Sequence, residues 1–248
     1  MGAKLIYDMA DINMLPTISQ MTLEENINNQ NIELWNELKS QFDFKLIYSE
    51  NEISWRVNNE KRPIEIYTSS KTPDIASFTH ELLHVYIESK GMSSDRELLH
   101  SIYGTDSFQI LTTNALFARI HNYCCHTKMF PYFVEMGFEE NSFIADRIKF
   151  GNSSYYILRI MFLFKKTRAL AVTDFIGHSV ALFNDNETSN RKNTLKSLKR
   201  LKKLNPSLFK IVEDFNNRWR NSNDFNLAEY FQEFDNELND WLIENKIL

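Results

Sequence analysis

The stretch Thr72-Pro73-Asp74-Ile75-Ala76-Ser77-Phe78-Thr79-His80-Glu81-Leu82-Leu83-His84-Val85-Tyr86-Ile87-Glu88-Ser89-Lys90-Gly91 decides how the rest of the chain is read. Thr72 is placed to cap a helix, with Pro73 at the first helical position, where a missing N–H is harmless, and Asp74 near the positive end of the dipole. Gly91 marks the stop. Ile75, Phe78, Leu82, Leu83, Val85 and Ile87 fall around most of the circumference, which predicts a helix buried in the core. Within it, His80-Glu81-Leu82-Leu83-His84 concentrates the chemistry. At about 100° per residue, His84 lies about 40° round from His80 and one turn along, so both imidazoles leave one face and can share a metal ion. Glu81 lies about 60° from His84, within reach of a metal-bound water without being a ligand.

Neutral imidazoles suit zinc, and a site with three protein ligands keeps a position for water, whose pKa zinc brings down to about 7. Glu81 is then the general base that takes the water's proton as it attacks a carbonyl. The bland alternative is two core histidines satisfied by hydrogen bonds, with Glu81 on a solvated edge. A capped, apolar helix around a pattern this specific argues against it.

Upstream, Ile32, Trp35, Leu38 and Phe42 recur at helical spacing and predict an amphipathic helix over 31–42. Phe44 to Tyr48, Ile53 to Val57 and Ile64 to Tyr67 are short β-branched and aromatic runs separated by turn formers, which predicts a small antiparallel sheet. Downstream, Asp106 or Ser107 caps a helix running to about His126, with a break at Pro131. A short helix near Phe143 to Phe150, one long apolar helix from Ser154 to Phe183 and two or three more complete the chain. The expected class is α+β and predominantly helical, with the small sheet packed on the His80 helix. Residues 1–30 read as an arm or a short helical lead-in, 31–248 as one domain, in which 31–150 is the core and 151–248 a helical C-terminal part.

Composition agrees with that class: 248 residues, 43% hydrophobic, with only 6 Gly and 5 Pro, exclude whole-chain disorder and turn-rich designs. The net charge of −5 gives no global reason to expect nucleic acid or an anionic membrane as partner. Arg191 to Lys203 is a basic run interleaved with leucines, read as an amphipathic helix with a solvated face in preference to a phosphate-binding, nucleic-acid surface. Cys124 and Cys125 are neighbours that rarely bridge, Met1 to Pro16 lacks the layout of a secretory signal, and Tyr155 to Phe164 is too short to span a bilayer. A cytoplasmic protein without membrane association is the expectation.

Phe78-Thr79-His80-Glu81-Leu82-Leu83-His84 resembles the active-site helix of the zincin metallopeptidases, over this helix and the elements before it, about residues 44–90. The resemblance implies a zinc metallopeptidase with two histidine ligands, a glutamate base, a third ligand downstream, and a peptide or protein substrate. It also implies a strand that edges the site and pairs with substrate, for which Ile64 to Tyr67 is the segment at hand. The metzincin continuation is absent, because Ile87 and Lys90 stand where it needs glycine and histidine. No thermolysin-like Glu-x-x-x-Asp follows before Phe150.

The third ligand is therefore sought in His121-Asn122-Tyr123-Cys124-Cys125-His126. His126 is preferred, with Asn122 one turn before it on the same face; His121 points about 140° away and is second. Glu88, Cys125, Glu135 and Glu139 are outsiders. An oxyanion helper is sought among His178, Tyr155, Tyr156, Tyr103 and Tyr123. The alternative to an enzyme is a zincin-like metal-binding or regulatory module without turnover.

Overall fold

Burial at every second residue, with Ile64, Ile66 and Thr68 in and Glu65 and Tyr67 less so, makes β3 (Ile64–Thr68) the middle of a three-stranded sheet. On one side it pairs in parallel with β1 (Phe44–Tyr48), Phe44 opposite Ile64. On the other it pairs antiparallel with β2 (Arg56–Asn58), Val57 opposite Ile66. The sheet is thus mixed rather than antiparallel. The turn formers between β1 and β2 do not close a hairpin; the chain crosses past the place that β3 later fills. Ile53, expected in the second strand, stands fully exposed, and only Trp55 of that run is buried before the strand.

The computed structural model describes residues 21–143, 153–184 and 191–247. Ahead of the sheet lies α1 (Ile32–Lys39), which buries Leu34, Trp35 and Leu38. Trp35 packs on Phe44 and on Phe78, with ring centroids 5.2 and 5.9 Å apart. This joins helix, sheet and α2 (Ile75–Ser89) in one apolar cluster. The cap of α2 is Asp74, not Thr72: its carboxylate accepts from the Ser77 N–H at 3.1 Å and the Ser77 hydroxyl at 2.6 Å. Pro73 consequently lies outside the helix. Gly91 takes φ +103° just beyond its end, the conformation glycine adopts without penalty.

Residues 21–30 contain a short helical turn at Glu24–Asn26 and are tied to the core. The Asn26 amide oxygen accepts from the Asp74 N–H at 2.9 Å, and Asn31 donates to the Thr79 hydroxyl and the Asn26 carbonyl, each at 2.9 Å. These polar groups are buried and hold the start of α2. Residues 1–20 of the expected arm lie outside the described residues.

After α2 come α3 (Asp95–Ser101), which the sequence reading missed although Ser94 and Glu97 form a reciprocal capping box, and α4 (Ser107–Thr112). The single helix expected from Ser107 to His126 is broken by a turn at Thr113–Ala115, with Ala115 left-handed at φ 54°. Then α5 (Leu116–Glu135) runs straight through Pro131. Burial of Met129 and Phe133 on either side of the proline offsets the lost hydrogen bond.

The long apolar helix is likewise two, α6 (Ser153–Lys166) and α7 (Arg168–Phe183), separated at Thr167, whose backbone is not helical. They pack on each other; α7 is buried along most of its length, while α6 covers it and faces outward. The helix expected at Phe143 to Phe150 lies, beyond Phe143, outside the described residues. Three helices follow: α8 (Arg191–Leu204), α9 (Pro206–Asn221) and α10 (Leu227–Glu244). Trp219 of α9 donates from Nε1 to the Cys124 carbonyl at 3.0 Å, which ties them to α5.

Candidate metal centre

The α2 helix presents His80 and His84 one turn apart, and α5 packs against it and brings in His126. Ring centroids are 5.1 Å apart for His80 and His84, 4.8 Å for His80 and His126, and 5.4 Å for His84 and His126. One ring nitrogen of each lies within 4.8 Å of the others. His80 and His126 are buried, and the Phe143 ring packs against both, 4.8 and 5.4 Å between centroids. Burial, followed by mutual repulsion, pushes the His80 and His126 pKa values well down; burial chiefly, then the nearby His121 charge, takes His84 from 6.5 to about 4. All three rings are therefore neutral near pH 7, the state a metal ion requires.

The His80 Nδ1 and both nitrogens of His126 are buried without a hydrogen-bond partner. Leaving such groups unpaired costs about 1–3 kcal/mol each, so the cluster is an incomplete structure as a hydrogen-bond network and a complete one as a ligand set. Three imidazoles fit zinc and the neighbouring first-row ions. Among the described residues no fourth His, Cys, Asp or Glu joins the group.

Glu81 is buried next to this cluster, and its Oε2 accepts from the Val57 N–H of β2 at 2.8 Å. That bond fixes the position of the carboxylate. Strand β2, helix α2 and the first half of α5 together wall a cavity of about 590 Å³ onto which His80, Glu81, His84 and His126 open. No family model, curated protein or solved structure matches this chain.

His121 does not join the trio. Its Nδ1 sits 2.5 Å from the Asp95 carboxylate and its Nε2 faces the Ser93 carbonyl at 2.9 Å, so both nitrogens meet acceptors. Burial opposes charge there, but the Cys125 sulfur and the Asp95 carboxylate outweigh it and push the pKa up to about 11. Cys125, 3.6 Å from His121 Nε2, lines the cavity wall without entering the histidine group. Glu88 stands exposed at the rim of the cavity, where the Asn59 amide donates to it at 2.5 Å, and does not join the histidine group. Glu135 and Glu139 are exposed outside the cavity.

None of the five residues suggested as oxyanion helper lines the cavity: Tyr103 and Tyr155 are exposed, Tyr123 is buried elsewhere, and Tyr156 stacks on His178 with centroids 5.6 Å apart. Besides Glu81 and the three histidines, the charged groups that line it are Arg56, Arg119 and His121 on the cationic side and Glu60, Glu88 and Asp95 on the acidic side, with Asn122 among the neutral polar ones. Arg119 had a legible signal, two turns before His126 on the same face of α5. Arg56 had none, because its place depends on β2 lying beside α2. The strand at the cavity is β2, an edge strand; β3 is paired on both sides and cannot take a further strand.

Proposed function

We infer that this protein is a zinc-dependent hydrolase that cleaves peptide bonds, with His80, His84 and His126 holding the metal and Glu81 as general base. The observation that carries this reading is the meeting of three neutral imidazoles with ring nitrogens within 4.8 Å, two of them buried with unpartnered nitrogens and His84 half-buried, beside a buried carboxylate on an open cavity. Zinc bound there supplies Lewis acidity, which polarises a carbonyl and makes water acidic near neutral pH. Glu81, held by Val57, takes a proton from water at its carboxylate and can return it to a leaving amine. Arg56 and Arg119 give the wall two permanent cations that can orient a substrate. The likeness of Phe78 to His84 to the zincin helix supports peptide hydrolysis over other acyl transfers. Two free cysteines, both buried, support a reducing, cytoplasmic setting.

The test is paired. Purified protein should hold one zinc per chain, and His126→Ala should reduce that occupancy sharply. Glu81→Gln should keep the zinc and lose hydrolysis of a peptide library by about 10²-fold or more. Parent protein without stoichiometric metal after growth in zinc, or Glu81→Gln protein as fast as the parent, would overturn the proposal.

A further inference from the structure

Away from the metal centre, α6 and α8 lie side by side over the buried α7 and turn their outer faces to solvent together. Arg200 of α8 donates to the Ser154 hydroxyl of α6 at 2.8 Å, and Lys202 pairs with Glu213 of α9 at 3.4 Å, which fixes how α8 is rolled. On α6, Tyr155, Leu158 and Phe162 fall within about 60° of one another at 100° per residue, with Met161 adjoining. Their exposures are 62%, 63%, 59% and 44%, far from the burial such side chains usually find. Four large apolar side chains on one solvent-facing stripe form a patch of the kind that marks a contact surface.

Within α6 and α8 themselves every charged side chain is of one sign. Helix α8 carries seven Lys or Arg and no Asp or Glu, in a chain of net charge −5. Lys192, Lys196, Lys199 and Lys203 lie within about 60° on its outer face. Lys165 and Lys166 end α6 next to Phe162. Among the described residues none of these six lysines has an ion pair, whereas Arg159, Lys202 and Lys210 each have one.

The geometry points to a face that docks on an anionic lipid surface, with Tyr155, Leu158, Met161 and Phe162 entering the headgroup region and the lysines of α8 and α6 meeting acidic headgroups. No helix among the described residues is long and apolar enough to cross a membrane. A helix lying in the interface needs only an apolar face flanked by cations, which is what α6 and α8 supply jointly. Charge separates this partner from its rivals. A second copy would set the same cations against each other, and a nucleic acid would leave four apolar side chains without a role. This inference is independent of the metal centre.

The experiment is flotation of the full chain with mixed phosphatidylserine and phosphatidylcholine vesicles at low salt, beside vesicles of phosphatidylcholine alone. Two variants accompany it, Leu158→Glu/Phe162→Glu and Lys192→Glu/Lys196→Glu/Lys199→Glu. All five positions are exposed, so circular dichroism and zinc content should be unchanged. The parent should float with the serine lipid only, and salt should weaken binding. The apolar variant should bind about tenfold or more weakly, and the lysine variant about a hundredfold. Absence of serine-dependent flotation, or equal binding by either variant, overturns the inference. So does affinity for DNA or RNA without affinity for vesicles, which makes the face a polynucleotide surface. Self-association lost in Leu158→Glu/Phe162→Glu without vesicle binding overturns it as well, in favour of an interface between copies.

Discussion

His121 and His126 lie five residues apart on one helix and show how little spacing alone says about a histidine's charge. His126 faces two other imidazoles in a buried corner, and burial keeps it neutral. His121 faces a carboxylate and a carbonyl, and its proton is held. The three clustered rings have folded pKa values below the ordinary 6.5, so the unfolded chain binds more protons between that value and about 4, the His84 value. Stability of the metal-free protein should therefore fall as pH drops through that window. His121 contributes with the opposite sign: its raised pKa gives stability that is present below 6.5 and lost as pH climbs toward about 11. Urea unfolding of chelator-stripped protein at pH 4.5 and 6.5 should show the lower midpoint at the acid end, and His84→Gln should flatten the difference. A midpoint that rises on acidification would contradict the neutral cluster.

At the scale of elements, α2 was legible because several signals agreed: an apolar circumference, a polar start and a glycine stop. Only the cap was misassigned, since Thr72, Pro73 and Asp74 each satisfy a start rule and the choice depends on Asn26 taking the Asp74 N–H. Asp74→Ala should cost about 1 kcal/mol in denaturant unfolding, and Thr72→Ala about 0.5 kcal/mol or less. The reverse order would restore Thr72 as the cap. The breaks at Ala115 and Thr167 had no Gly or Pro to announce them. Pro131 is the converse, a breaker overruled by the burial of Met129 and Phe133.

At the scale of the molecule, one apolar cluster runs from Leu34 to Leu242 and includes residues of the sheet, α2, α5 and the C-terminal helices. Trp219 is its hinge pin: it is fully buried, bonded to Cys124 and covered by the Lys128 ammonium 4.2 Å from its ring. Trp219→Ala should destabilise by about 3–5 kcal/mol. The metal site and the C-terminal helices should then melt together in one lowered transition, read by zinc release and circular dichroism; two separated transitions would make them independent units. By itself the sequence determined the helical class, the buried helix and the pairing of His80 with His84, because these rest on periodicity and i to i+4 geometry within one element. It also singled out His126 by its place on α5, but not the convergence of the three rings. Tertiary structure alone decided that convergence, the mixed order of the strands, the capture of Glu81 by Val57, the ion pair that removes His121, and the outward turn of α6. Each depends on how two elements distant in the chain pack, and that is set by the total burial of the molecule rather than by any local run of residues.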